Sequence, residues 1–315
     1  MPFDIQYLLW LQQLREMTGG VFDEFFNSLS KLAVDIIIYL PYVILWCVSL
    51  SWGYRLLSSY WTMEVTNSLI KMTVCAYRPW IRSDLIEPAG DSKVAATGYS
   101  FPSGHTAVST TIYGSVFEHT KNSKKWLATL CIVVLALTAF SRNFLGVHTP
   151  QDVVVALIES TLILIFTKIV ADKVSGDDKK LDRLTLLGLV FVICSFCYIY
   201  FKPYPLDYVE GVLLVDPKVM MKDSFSACGG FLGFLLATYL QRHYIHYSIK
   251  ENSKSLPLMV AIGIGIMYSW GSLFAPATVI LAFGRLWGNF IAKFVSAVFG
   301  IALWPYCIMK VAEKE

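Results

Sequence analysis

Residues 148–170 read HTPQDVVVALIESTLILIFTKIV, and this stretch decides the class of fold. Thr149 stands directly before Pro150, the order of residues at which a capped helix begins. The run that follows is long and apolar enough to cross a bilayer. The stretch therefore predicts a transmembrane helix that opens with polar residues at one membrane surface, and similar apolar runs recur on both sides of it.

The composition of the whole chain agrees with this interpretation. Of its 315 residues, 56% are hydrophobic and 16% are charged, and the mean hydropathy is +0.56. Soluble domains average about 45–50% apolar and about 25% charged residues. These values exclude a disordered chain and argue against a soluble globular enzyme. The net charge of +3 gives no indication of nucleic-acid binding, and the seven cysteines lie in or beside apolar runs, as packing residues do.

We therefore predict an all-α fold, a polytopic transmembrane helical bundle of about eight to nine spans. The expected spans are 32–53, 58–77, 103–117, 126–140, 150–170, 184–201, 225–240 and two within 256–309, broken near 271–276 or 284–288. The expected organisation is an amphipathic interfacial segment (1–31), a catalytic transmembrane core (32–170), a charged cytoplasmic linker (171–183) and additional C-terminal transmembrane helices (184–315).

The distribution of basic residues predicts the orientation. If the spans alternate, slightly more than half of the 26 Lys and Arg residues collect on one side, which the positive-inside rule assigns to the cytoplasm. The loops 78–101 and 141–149 then face the outer, periplasmic or lumenal side. Three short polar motifs lie on that side of the expected membrane protein.

The first motif contains Lys71 and Arg78, followed by Pro79. Residues seven apart share one face of a helix, about 10 Å apart along its axis. A lysine within a span costs roughly 2.5–3.5 kcal/mol on insertion scales, so it is often functional there. The alternative is that both side chains extend to the interface as membrane anchors.

The second motif is Pro102-Ser103-Gly104-His105, where a loop enters the third expected span. Ser103 is placed to cap this helix, and Gly104 leaves room for a ligand near the backbone. The unsatisfied N–H groups of a helix start form an anion site. The alternative is an ordinary capped helix with an interfacial histidine.

The third motif, residues 141–152, contains Arg142, His148 and Asp152. Asp152 lies in the first turn of the helix, four residues after His148. A carboxylate there can hold one ring nitrogen and leave the other as a nucleophile. The alternatives are a helix-dipole partner for Asp152 and an interfacial anchor for Arg142.

Together the motifs predict one site. Three cationic side chains and the amides near Ser103 would surround a tetrahedral dianion, and two histidines would flank it. Phosphoryl transfer needs fixed donors around the phosphoryl oxygens, with a nucleophile and an acid in line. Nearby cations favour a neutral His148 and Asp152 opposes this, and the sequence leaves the balance open.

The pattern Lys71-x6-Arg78-Pro79, Pro-Ser-Gly-His105 and Ser-Arg-x5-His148-x3-Asp152 resembles the type 2 phosphatidic acid phosphatase (PAP2) superfamily over about residues 55–170. This resemblance implies a six-helix-type core and catalysis without a metal or other cofactor. It implies that His148 forms a phosphohistidine, that Asp152 holds it and that His105 protonates the leaving oxygen. The phosphate-binding residues it implies are Lys71, Arg78, Ser103, Gly104 and Arg142.

The leading hypothesis is a multi-pass membrane phosphatase that hydrolyses a lipid phosphomonoester or diphosphate, with membrane lipids as its surroundings and no nucleic-acid partner. Two enzyme alternatives are a sugar phosphatase of the glucose-6-phosphatase type and a phosphotransferase. The non-enzyme alternative is an anion transporter that uses the same charges. The lipid itself and the oligomeric state stay open.

Overall fold

The computed structural model describes residues 1–96, 98–250 and 253–315. The helices are α1 (Phe3–Met17), α2 (Val21–Asp35), α3 (Leu40–Cys47), α4 (Leu50–Val74), α5 (Pro79–Arg82), α6 (Ser92–Ala95), α7 (Gly104–Thr120), α8 (Lys125–Phe144), α9 (Pro150–Val174), α10 (Asp178–Phe201), α11 (Pro217–Leu240), α12 (Leu256–Ser269), α13 (Leu281–Val298) and α14 (Trp304–Ala312). Strand occurs in the described residues only as a hairpin of β1 (Tyr208–Val209) and β2 (Val212–Leu213). Short 3-10 and π-helical turns extend several helices.

The protein is an all-α membrane protein. Within the described residues, six helical segments are long and apolar enough to cross a membrane. They are Val21–Cys47, Lys125–Phe144, Pro150–Val174, Asp178–Phe201, Pro217–Ile245 and Leu256–Ala312. Large apolar side chains on these helices, such as Leu162, Phe166 and Leu187, are exposed, as expected for surfaces that face lipid.

Two expected spans, 58–77 and 103–117, are helices that do not belong to these six. α4 carries Glu64 and Lys71, and α7 has only 17 residues. Most of α7 is buried, and hydroxyls of Thr110 and Thr111 bond to carbonyls one turn back. A helix that packs against protein needs less apolar surface than one that faces lipid.

The expected first span, 32–53, is wrong in its bounds, because the chain turns back within it. α3 ends at Cys47 and α4 begins at Leu50, where the Ser49 hydroxyl accepts the Trp52 N–H at 3.3 Å. A Cβ on Gly53 would lie 2.6 Å from the Leu45 Cα, so the two helices pass almost in backbone contact. The first apolar segment is therefore Val21–Cys47, and α4 (Leu50–Val74) follows it as a separate helix.

The 57-residue segment Leu256–Ala312 is two antiparallel helices. At Gly284 the backbone has φ 74° and ψ 173°, which interrupts the helix. A Cβ on Gly288 would lie 2.5 Å from the Ile280 Cα, although eight residues of continuous helix span about 12 Å. The indole of Trp304 donates to the Met259 carbonyl at 3.1 Å, which pairs the far ends. The expected break near 284–288 is the correct one of the two alternatives.

The chain packs into two compact units, each built from separate segments. Unit 1 contains Met1–Ile38, Thr66–Ile165 and Pro203–Met220, and unit 2 contains Tyr39–Val65, Phe166–Lys202 and Met221–Glu315. The expected four-part organisation stays a prediction. All residues of the three motifs belong to unit 1.

In unit 1 the N-terminal helices support the motif loops. Leu8 and Leu11 of α1 pack with Ile86 and Phe144 in one apolar cluster. Arg15 is buried and donates to the carbonyls of Glu87 and Phe144, at 2.6 and 3.4 Å. α1 therefore joins the loop after the first motif to the end of α8, which carries the third.

In unit 2, glycines permit close helix contacts. A Cβ on Gly229 would lie 2.2 Å from the Phe290 carbonyl oxygen, and one on Gly233 would lie 2.5 Å from that of Phe294. A Cβ on Gly230 would lie 2.0 Å from the ring of Trp61. Small residues of this kind let transmembrane helices approach closely.

Candidate functional site

His148 lies in a tight turn between α8 and α9. Gly146 adopts φ +72°, a conformation that glycine takes without strain. The N–H of His148 returns to the Arg142 carbonyl at 3.2 Å, and the Asn143 amide donates to the His148 carbonyl at 2.9 Å. These bonds hold the backbone of His148 against the end of α8.

One side of the His148 ring faces Asp152. Nδ1 of His148 lies 3.3 Å from Asp152 Oδ2, and both side chains are buried. The same carboxylate oxygen accepts the Thr149 N–H at 2.8 Å and the hydroxyl of Ser100. The Thr149 hydroxyl in turn accepts the Asp152 N–H at 3.4 Å, which confirms the expected cap of α9. These bonds hold Asp152 in one position, where its carboxylate can accept a hydrogen bond from the protonated Nδ1 of His148.

The other side of the ring faces Arg78. Nη1 of Arg78 lies 2.9 Å from His148 Nε2 and 2.9 Å from the Val147 carbonyl, and its Nε donates to the Gly98 carbonyl at 3.2 Å. An arginine can only donate, so Nε2 must be the acceptor. The geometry selects the His148 tautomer with its proton on Nδ1 and a lone pair on Nε2.

The protonation balance that the sequence left open has a direction in the structure. Burial lowers the pKa of His148 well below the usual imidazole value, and the positive charge of Arg78 lowers it further. The hydrogen bond and the charge of Asp152 raise it. The lowering effects dominate, so His148 is neutral at physiological pH.

The second motif begins α7 beside this pair. The Ser103 hydroxyl accepts the Thr106 N–H at 3.4 Å, which confirms the expected cap, and the Ser103 N–H donates to the Asp152 carbonyl at 3.0 Å. Lys71 donates to the Pro102 carbonyl at 2.6 Å. The start of α7 is thereby tied to α9 on one side and to α4 on the other.

His105, the second residue of the same helix, is partly exposed and carries the second imidazole. It lies within electrostatic range of four site residues, namely Arg142, His148, Arg78 and Lys71. The structure thus brings the charged side chains of all three motifs together in unit 1, around the start of α7. Gly104 is partly exposed at this start, so its backbone is accessible.

Arg142 is buried at the end of α8 and is held from α2. Its Nη1 donates to the Ser30 hydroxyl at 2.5 Å. Its Nε is also buried, and it makes no hydrogen bond to the residues that the structure describes. Phe26 of α2 packs against Phe140 and Phe144 of α8, with ring centroids 5.6 and 4.6 Å apart, which fixes this helix pair.

Three residues of the site were missed from the sequence. Ser100 donates to Asp152, Asn143 supports the His148 carbonyl and Ser30 accepts from Arg142. Asn143 lies inside the third motif and Ser100 lies two residues before the second, so their positions were a usable signal. Ser30 lies 112 residues from Arg142, and no local pattern marks it.

We expect Ser30→Ala to raise the KM for a phosphate substrate about tenfold with a smaller change in kcat, because a hydrogen bond to a charged group contributes about 1.5–3 kcal/mol. Ser160→Ala is the matched control: Ser160 is equally buried, and its hydroxyl has no hydrogen-bond partner in the described part of the chain. Steady-state kinetics of both variants test this. Equal KM values for the two variants would contradict a role of Ser30 in orienting Arg142.

The segment that contains this site is similar to known proteins. The model of the PAP2 superfamily matches residues 28–175, so the resemblance predicted from the motifs is confirmed for this segment. An undecaprenyl-diphosphatase from Sulfolobus acidocaldarius is 28% identical over 132 residues, which are 42% of this chain and 60% of the relative. The match thus spans less than two thirds of that relative. No solved structure matches the chain.

Proposed function

We propose that the protein is an integral-membrane phosphatase that hydrolyses a lipid phosphomonoester or diphosphate through a phosphohistidine intermediate. The observation that carries this proposal is the environment of the His148 ring. Its Nε2 lone pair points to a cationic group, while Asp152 backs Nδ1. Such a nitrogen is a nucleophile placed where a phosphate would be bound.

The first step forms one bond and breaks one. His148 Nε2 attacks phosphorus, the bond from phosphorus to the ester or bridging oxygen breaks, and protonated His105 gives its proton to that oxygen. Asp152 stabilises the positive charge that develops on the His148 ring. The first product is the dephosphorylated alcohol or the lipid monophosphate.

The second step returns the enzyme to its starting state. Neutral His105 accepts a proton from water, whose oxygen attacks phosphorus while the bond to Nε2 breaks. Inorganic phosphate leaves, and His148 regains its lone pair. One water molecule is consumed in each cycle, and both histidines end in their initial protonation states.

Fixed donors stabilise the charge on the phosphoryl oxygens throughout. In the proposal these are Lys71, Arg78, Arg142 and the backbone N–H groups at Ser103 and Gly104. The buried Nε of Arg142 supports this role, because a phosphate oxygen would satisfy it. Three cations and a helix start supply the charge that a metal ion provides in other phosphatases.

We further propose nine spans, with the site on the outer side of the membrane. To the six apolar segments this count adds α4 and α7, and it divides Leu256–Ala312 at Gly284. The orientation follows the positive-inside rule. Of the expected interfacial segment, 1–31, this arrangement leaves α1 (Phe3–Met17) at the interface, because the first span begins at Val21. Residues 171–183 form the cytoplasmic linker between the catalytic core and the helices of 184–315.

A lipid is the favoured substrate, because the name of the Sulfolobus relative specifies a lipid diphosphate and the chain is a membrane protein. The test is phosphate release by detergent-solubilised protein, in the presence of a chelator, from prenyl diphosphate, phosphatidate and glucose 6-phosphate. We expect kcat/KM for a lipid phosphate to exceed that for the sugar phosphate at least about tenfold, since burying each CH2 contributes about 0.8 kcal/mol.

The same assay distinguishes the alternatives. Equal kcat/KM values for glucose 6-phosphate would favour a sugar phosphatase. Transfer of phosphate to an added alcohol in place of water would favour a phosphotransferase. A protein that binds phosphate esters and releases no phosphate from any of them would be an anion transporter or binding protein.

A further inference from the structure

Residues 203–216, here called the strap, lie outside the PAP2 match and connect α10 to α11. They cluster with the segments of unit 1 that hold the site, whereas most of α10 and α11 belongs to unit 2. This connection between two helices therefore packs with the chain segments that carry the site. The contacts of the strap indicate its role.

The strap and the start of α11 each contact a residue that lies beside Arg78. The hydroxyl of Tyr77, the residue before Arg78, donates to Asp207 of the strap. Gly98, whose carbonyl accepts from Arg78, has no room for a side chain, since a Cβ there would lie 1.6 Å from Met220 Sδ. The strap is therefore anchored directly beside the phosphate-binding guanidinium.

The outer end of the strap is an apolar hairpin. Glu210 and Gly211 both have positive φ, at 51° and 79°, the geometry of a two-residue hairpin turn. The turn pairs Val209 with Val212 on one face of the ribbon. These side chains are 55% and 70% exposed, and Leu206 is 58% exposed. The strap thus carries an exposed apolar surface and is anchored beside the charged site.

We propose that the strap is a specificity element that contacts the hydrocarbon chain of the substrate next to its phosphate. This inference rests on the proposed phosphatase function and adds a part of the chain outside the PAP2 match to the substrate site. A phosphate held by Arg78 would lie near Tyr77, whose hydroxyl donates to Asp207 of the strap. The chain attached to that phosphate covers Val209 and Val212.

A hydrocarbon chain fits this surface better than a polar substituent does. Contact with a hydrocarbon chain would remove the exposed valines from water, and this stabilises binding by about 25 cal/mol per Å² of buried apolar area. The strap lies between two candidate membrane segments, so it is at the boundary where a lipid headgroup and the first part of its chain are found. A sugar ring would leave the valine pair in water.

The experiment measures kcat/KM for a series of n-alkyl phosphates, from ethyl to dodecyl, with detergent-solubilised full-length protein. The test variant is Val209→Thr/Val212→Thr, which keeps the β-branched shape and removes apolar surface. The control is Leu85→Thr/Val94→Thr, which removes side chains of similar exposure (57% and 78%) elsewhere in unit 1. A second test variant, Asp207→Ala, removes the anchor to Tyr77.

We expect kcat/KM of the wild type to rise with chain length. The ratio of the dodecyl to the ethyl value falls about tenfold in the valine variant and in Asp207→Ala, and it is unchanged in the control. A ratio that is unchanged in both test variants, or that falls equally in the control, overturns the role of the strap while hydrolysis itself remains. If the wild type hydrolyses no alkyl phosphate, the phosphatase proposal fails and the strap proposal fails with it.

Discussion

His148→Gln abolishes phosphate release, with a loss in kcat on the order of 10⁴-fold or more, because removing a nucleophile removes the covalent route entirely. Glutamine has a similar volume and keeps a polar atom near Arg78, so the buried site remains filled. The measurement is release of inorganic phosphate under saturating substrate. In the wild type, rapid quenching at alkaline pH after mixing with 32P-labelled substrate traps an acid-labile phosphoenzyme, and this label is absent from the variant.

His119→Gln is the control for this substitution. His119 is exposed near the end of α7, one helix length from the motif histidine on the same helix. Its replacement leaves both phosphate release and labelling intact. If the His148→Gln variant were still labelled by 32P, another residue would be the nucleophile, and the His148 ring would have a structural role only.

Asp152→Asn lowers kcat about 10⁴-fold, an effect comparable to loss of the carboxylate in other His–Asp pairs. The carboxylate keeps the proton of His148 on Nδ1, whereas an asparagine amide can donate to Nδ1 and move that proton to Nε2. The nucleophilic lone pair is then lost. Asp172→Asn, which changes an exposed carboxylate on the same helix, leaves kcat unchanged.

A thermal unfolding curve in detergent accompanies these two variants, because Asp152 also accepts the Thr149 N–H and the Ser100 hydroxyl. Correctly folded Asp152→Asn protein with near wild-type kcat would contradict the assignment of Asp152 to the nucleophile. A loss of kcat in folded protein, with KM nearly unchanged, is the expected pattern for a residue that acts on the His148 ring.

The pH dependence of kcat/KM follows from the lowered pKa of His148. Only the neutral ring attacks, so activity is lost as the pH falls through this pKa, and the acid limb lies below the ordinary imidazole value of about 6.5. Asp152 raises the pKa of His148, so Asp152→Asn moves the acid limb to still lower pH. The second ionisation of the substrate phosphate, near pH 6, is titrated separately and divided out. An acid limb above pH 7 would mean that Asp152 outweighs burial and Arg78.

Local sequence patterns predicted the chemistry of the site. Thr149 with Pro150 and Ser103 with Gly104 mark the starts of α9 and α7, since a helix start is specified by its own first residues. Once both starts are expected on one side of a membrane, the basic and imidazole side chains around them must lie near that surface. The alternation of apolar and polar runs was enough for this step, because the bilayer imposes the length of each helix.

The same sequence patterns did not locate the turns at which the chain reverses direction inside an apolar run. The turns at Val48–Ser49 and Gly284 are enclosed by residues as hydrophobic as a span, so hydropathy did not separate α3 from α4 or choose between two breaks in 256–309. The close approach of Gly53 to Leu45 and of Gly288 to Ile280 decides both reversals. Such contacts depend on the partner helix, and spacing within one helix does not encode them.

By itself, the sequence determined that this is a helical membrane protein, and it predicted which polar residues would meet a phosphate. Both follow from short-range effects, namely the free energy of placing side chains in lipid and the capping of the unpaired N–H groups at a helix start. Only the tertiary structure showed that Ser30 holds Arg142, that Arg78 sets the tautomer of His148 and that the strap lies beside Arg78. These are hydrogen bonds and contacts between residues far apart in the chain, and they exist only after the helices have packed.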